Sequence, residues 1–176
     1  AAQQCNLHLI IGAQMALSPA KGGDGVVLAG HAPPQLLLLA QDRRGYGNLA
    51  QWISVARRRA PKGQYLAYPS DLEGRVPNAP YLARLPGCFA LLLPAPGQGV
   101  ETVFAHAMWL KTWFGAERCA IAIELLGRPH DALRLDVLPR AAALAGLPLV
   151  ACGDVRMHAR SRKPLQDALT ATRVGR

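Results

Sequence analysis

An α/β fold with a mainly parallel sheet is what the sequence predicts, on two observations. Short continuous apolar runs recur along the chain, each of a length that suits a strand buried on both faces. Between them lie stretches in which apolar residues return at helical spacing. Strands that alternate with amphipathic helices build βαβ units, and these give parallel sheets with helices outside.

Taken in order, LHLIIGAQM at 7–15 is the first strand. KGGDG at 21–25 is a turn and VVLA at 26–29 a short strand. APP punctuates the chain before QLLLLAQ at 35–41, a second buried strand. Residues 42–60 read as a helix, with Tyr46, Leu49, Trp52, Ile53 and Ala56 on one side and Arg44, Asn48, Gln51 and Arg58 on the other. Arg57, Arg58 and Arg59 close it, where cations meet the negative end of the dipole. Residues 65–87 hold four prolines and are loop-rich, with a helix start at SDLEG. CFALLLP at 88–94 is the third strand. A helix follows over 100–114, packing through Val103, Phe104, Ala107 and Leu110, with His106 at its surface.

CAIAIELL at 119–126 is the fourth strand. The helix over 131–145 presents Leu133, Val137, Ala141 and Leu144, and Pro139 inside it is expected to clash with the Leu135 carbonyl and bend or split it. LPLVACGD is the fifth strand. The last helix, KPLQDALTATR, has Pro164 in its first turn and Leu165, Ala168, Leu169 and Thr172 on one face.

Composition removes several classes. Hydrophobic residues make up 51% of the chain and charged ones 18%, a globular balance. No apolar run reaches the roughly 20 residues that span a bilayer, so no membrane is expected as a partner. The N-terminus has no basic segment ahead of its apolar run, which argues against a secretory leader. It also lacks an initiator Met and reads as cut from a longer chain. Cys5, Cys88, Cys119 and Cys152 show no CxxC spacing and read as reduced, buried thiols of a cytoplasmic protein. A net charge of +9 favours a polyanionic partner, with nucleic acid first.

In open α/β sheets the loops after the strands build the site. Gln14, Asp42, Glu124 and Asp154 fall there. Asp154, Arg156 and His158 follow a buried strand, and two readings stand: a carboxylate and an imidazole in a metal-binding mouth, or an Asp capping a turn beside a solvated His. Glu124 sits in an apolar strand and needs a partner, either a metal or Arg128 four residues on. Gln14 is a poor metal ligand and suits ordinary hydrogen bonds. Arg57, Arg58 and Arg59, and the run Arg156, Arg160, Arg162 and Lys163, are suited to phosphate contact. No phosphate-cradling glycine loop or GxSxG elbow is present.

The ordered segments LHLIIGAQM, LLLLAQDRRGYGNLAQWISVARRRAPKGQY, DLEG, AIAIELLGRPHD and GLPLVACGDVRMHARSRKPLQDALTATR resemble the PHP (polymerase and histidinol phosphatase) domain of bacterial DNA polymerase III α subunits. DRRGYGNL, ARRRAPKG and GDVRMHARSRKPLQDALTA are most similar to the error-prone, lesion-bypass class. The resemblance covers nearly all of residues 1–176. It implies a distorted (βα) barrel, incomplete at its N-terminus, with a metal site at the strands' C-terminal ends and helices outside. The family's His-x-His motif is expected before residue 1. The glutamate of its GxE motif falls on Gln14, the Asp of DxH on Asp154 and the His on Arg156, while His158 matches an MH of the error-prone class.

No cofactor is expected in this chain, and a divalent Zn, Mn or Mg ion only if the PHP site is functional; that site is vestigial in Asp154, His158, Glu124 and Gln14, because Arg156 brings a positive charge to the place of a cation. The polymerase's own catalytic aspartates belong to a later domain. The resemblance implies a structural part of a DNA-directed DNA polymerase active in replication and repair. DNA, the rest of the polymerase and other lesion-bypass subunits are its partners, and the isolated chain is expected to self-associate through open sheet edges. The alternatives are a metal-dependent phosphoesterase or 3′–5′ exonuclease, and a basic nucleic-acid-binding module.

Overall fold

The structure, a computed structural model, describes residues 2–19 and 31–175. The turn expected at 21–25 and the strand expected at 26–29 lie outside these residues. The elements are β1 (Gly12–Ala16), β2 (Gln35–Ala40), α1 (Arg43–Arg58), α2 (Pro69–Leu72), β3 (Cys88–Leu93), α3 (Val100–Phe114), β4 (Cys119–Ile123), α4 (Asp131–Ala145), β5 (Leu149–Ala151) and α5 (Lys163–Val174). Short 3₁₀ turns at Gln3–Cys5, Pro80–Leu82, Ala116–Arg118 and Arg160–Arg162 join them.

The strands form one open sheet in the order β1-β2-β3-β4-β5. It is mixed, which corrects the expectation of a mainly parallel sheet. The pairs β3–β4 and β4–β5 are parallel, whereas β1–β2 and β2–β3 are antiparallel. The reason lies between α1 and β3. A helix between two strands makes them parallel when the chain enters the second strand from the helix's far end. Here residues 59–87 lead the chain back to the start of α1, so Cys88 pairs with Ala40. The Gln41 amide donates to Gly87 O at 2.8 Å at that corner.

That corner explains two glycines. Asp42 caps α1, its Oδ1 accepting from the Gly45 amide at 2.7 Å. Gly45 lies against Gly87, and a Cβ on it would collide with the Gly87 carbonyl. Gly87 itself has φ +78, a conformation that suits glycine.

The return segment is pinned from both sides. Asp71 is 2% exposed and takes Arg59 Nη1 at 2.8 Å on each oxygen, Trp52 Nε1 at 3.3 Å and the Tyr68 amide at 3.1 Å. Arg84 and Leu85 both hold positive φ, 63° and 37°. Their carbonyls and that of Cys88 accept from Arg118 Nη1 at 3.2, 3.3 and 3.1 Å.

The main core lies on one face of the sheet. Leu36, Leu38, Leu92 and Ile121 meet Leu49 and Trp52 of α1, Val103 and Leu110 of α3, and Val137 and Leu138 of α4. A smaller cluster of Leu91, Leu93, Ala120 and Ala122 occupies the other face. Its partly buried neighbours are further strand residues and Cys152.

The helical faces differ from the sequence pattern in places. Tyr46, Leu133 and Leu144 are exposed, while Gly45 of α1 and Ala141, Ala142 and Ala145 of α4 are buried. Small side chains there allow close approach. α4 runs unbroken through Pro139, which lies on its exposed side. β1 and β5 end the sheet and are mostly exposed, not buried on both faces. Residues 7–11 precede β1 outside any strand.

All four cysteines are free. Cys88 and Cys119 are buried, and burial pushes both thiols up to about 11. Cys5 is exposed, contrary to expectation.

His106 is also a correction, being fully buried rather than at the surface of α3. Its Nε2 lies 3.0 Å from Ala32 O, and Nδ1 has no hydrogen-bond partner among the described residues. With a carbonyl as partner, Nε2 must donate, which leaves Nδ1 bare on a neutral ring. Burial lowers the pKa of His106 below its ordinary 6.5, and the neighbouring His31 lowers it further. The folded chain thus binds a proton on this ring less readily than the unfolded chain. Stability is full above the ordinary histidine pKa and falls as pH drops through about 6.5. Thermal unfolding against pH checks this, and His106→Gln, which retains a donor, is expected to flatten the acid limb.

Candidate functional site: a carboxylate mouth closed by arginines

Antiparallel β1 and parallel β3, β4 and β5 all end at one edge of the sheet. There they line an open cavity of about 310 Å³. Gln14 of β1 and Gln35 of β2 stand on one side, Pro94 closes another, and Glu124, Asp154 and Arg156 follow β4 and β5. Three of the four strand-end residues singled out in the sequence therefore converge: Gln14, Glu124 and Asp154. Asp42 does not. It lies at the opposite edge because β2 runs the other way, and it caps α1.

Each carboxylate of the mouth has a guanidinium against it. Glu124 Oε2 lies 3.7 Å from Arg134 Nη1. The same guanidinium donates to the Glu124 carbonyl at 3.4 Å and to Pro94 O at 3.2 Å. The partner of Glu124 is thus Arg134, not Arg128. The first turns of α4 bring Arg134 over the strand end, while Arg128 stands at the rim. Arg134 is the residue that sequence reasoning missed. Its signal was a cation near a helix N-terminus, the end where the dipole disfavours it.

Asp154 holds the left-handed conformation, φ 42, and its Oδ2 accepts from Arg156 Nη2 at 2.9 Å and Nε at 3.2 Å. Cys152 lies behind the mouth, and burial followed by the Glu124 charge raises its pKa. It is held as the thiol, a weak nucleophile and ligand.

His158 is exposed and does not enter the mouth. It lines a separate groove beside α5 with Arg162. Among the described residues, no group of three or more histidine, cysteine or carboxylate side chains comes together as a metal cage. The donor set of the mouth also does not fit a divalent cation. Gln14 is neutral, and both carboxylates already face a fixed positive charge that a cation would have to displace.

The other basic candidates differ among themselves. Arg57 and Arg58 are exposed in the last turn of α1. Arg59 is engaged by Asp71 and stacks over Tyr68 at 5.2 Å. Arg160, Arg162 and Lys163 are exposed, and Lys163 Nζ meets both oxygens of Asp167 at 2.8 Å.

Fold and site together define an open α/β domain whose polar mouth is compensated by arginines and whose outer surface is basic. Its sequence is similar to error-prone DNA polymerases. It is 43% identical over 99% of its length to the error-prone DNA polymerase of Bordetella parapertussis, covering 16% of that protein. The corresponding protein of Methylococcus capsulatus is 48% identical over 81% of the chain, covering 12% of the relative. That of Ralstonia nicotianae is 38% identical over the whole chain, again 16% of the relative. The chain thus spans about a sixth of the length of these curated relatives. No family model matches it. No helix among the described residues is long and apolar enough to cross a membrane.

Proposed function

We propose that this chain is a PHP-type segment of an error-prone DNA polymerase and serves it as an architectural and DNA-contacting part. Similarity running nearly end to end with two such polymerases, and over 81% of the chain with a third, supports the parentage. The observation that carries the role is the state of the mouth. Arg134 and Arg156 occupy the charge positions that a hydrolytic metal centre needs for its cations. DNA synthesis belongs to the whole polymerase, and the rest of that polymerase is the main partner of this segment. Exposed Arg57, Arg58, Arg160 and Arg162, together with a net charge of +9, suit it to hold a phosphate backbone.

The experiment is a comparison with the hydrolytic alternative. The purified chain is incubated with Mn²⁺ or Zn²⁺ and either a phosphomonoester or a 3′-labelled single strand. No metal-dependent turnover above that of Asp154→Ala is expected. Turnover that Asp154→Ala abolishes would establish a phosphoesterase or exonuclease and sink the architectural role.

A further inference from the structure

The amphipathic helix α5 has an apolar side that the described residues leave open. Leu165 and Leu169, one turn apart, are 53% and 60% exposed. No residue of the helix is buried, and it packs mainly on the Arg160–Arg162 turn that leads into it. The chain from Arg156 to His158 runs beside it, and the two enclose a groove of about 220 Å³. Met157, Leu165 and Leu169 give the groove an apolar floor, and Arg156 and Arg162 lie at its rim. Between residues 156 and 173 there are five Arg or Lys and one carboxylate, Asp167, which Lys163 already holds.

We propose that this groove docks an acidic amphipathic helix from another polypeptide segment. A large apolar side chain of that helix seats over Met157, Leu165 and Leu169, and flanking Glu or Asp side chains meet Arg162 and Arg156 at the rim. Helix-in-groove recognition uses this combination of apolar anchors at one-turn spacing and complementary charge at the rim.

Charge and shape select this occupant. A second copy of the chain brings the same net charge of +9 and an equally basic groove, so the two repel. Nucleic acid gains from the cations but nothing from two leucines held open to water. A bilayer needs a protruding apolar face, whereas these leucines line a concavity. The docking role goes beyond the reading of the mouth and stands without it.

The test uses the whole chain and a fluorescent synthetic helix with leucines at i and i+4 on one face and glutamates flanking them. Controls are the same composition with the leucines scattered round the helix, a glutamine-for-glutamate version, a single-stranded oligonucleotide and anionic vesicles. Saturable binding of the acidic amphipathic helix is expected, weakened roughly tenfold by Leu169→Ser or by scattering the leucines. Arg162→Ala is expected to reduce its salt dependence. Both positions are exposed, so thermal midpoints should not move; Leu165→Ser provides a second variant if one does. Equal binding of the scattered-leucine helix overturns the proposal. So does failure of the acidic helix to bind, or binding of oligonucleotide or vesicles that Leu169→Ser abolishes.

Discussion

Asp71→Ala is expected to destabilise the chain by about 3 kcal/mol, the largest effect of any single polar substitution in it. Truncation leaves the Arg59 guanidinium without its bidentate partner in a largely closed site. It also strands the Trp52 Nε1 and Tyr68 amide donors, each with its own desolvation cost. Arg59 retains some access to water, which holds the figure at the lower end for a broken buried pair. Against a typical domain stability of about 5–15 kcal/mol, this is a large fraction. Urea unfolding measures it. A loss below about 1 kcal/mol would mean that the network is replaceable by water. Asp71→Asn, which retains acceptors but not charge, is expected to fall between the two.

Changing Arg160, Arg162 and Lys163 together to alanine is expected to reduce the salt slope of DNA binding by roughly 2. Each cation on a phosphate contributes close to one unit of slope, so three fully engaged side chains would give nearly 3. Lys163 is shared with Asp167, which removes most of its share. Binding of a short duplex across a salt series reads the slope directly. An unchanged slope takes this loop off the DNA surface and leaves Arg57 and Arg58, in the last turn of α1, as the candidates to test next.

The sequence made the elements readable because period and punctuation were strong in β2, α1, β3 and β4. It did not make the topology readable. Residues 59–87 look like a loop between a helix and a strand, and nothing local says that they climb back to the Asp42 corner. The Gly45–Gly87 approach, the Asp71 network and the Arg118 contacts encode that path, and all are pairings between residues apart in sequence. The mouth was legible in its strand-borne members, Gln14, Glu124 and Asp154, because strand ends are local features. Arg134 was not, since its role depends on where α4 begins relative to β4. His106 was misplaced for a related reason: α3 is buried on much of its circumference, and an apolar stripe alone does not show that.

Arg118 has one more consequence. The backbone at Arg84 and Leu85 is held in a sparsely populated conformation, and the guanidinium that compensates it comes from 33 to 34 residues later in the chain. During synthesis, the corner that reverses β3 against β2 has no such donor until β4 is about to form. A nascent chain that emerges from N- to C-terminus must leave this turn unset and close it retroactively. The antiparallel half of the sheet is therefore locked by a residue from its parallel half, and the two halves are expected to gain protection from hydrogen exchange together rather than in the order in which they are made.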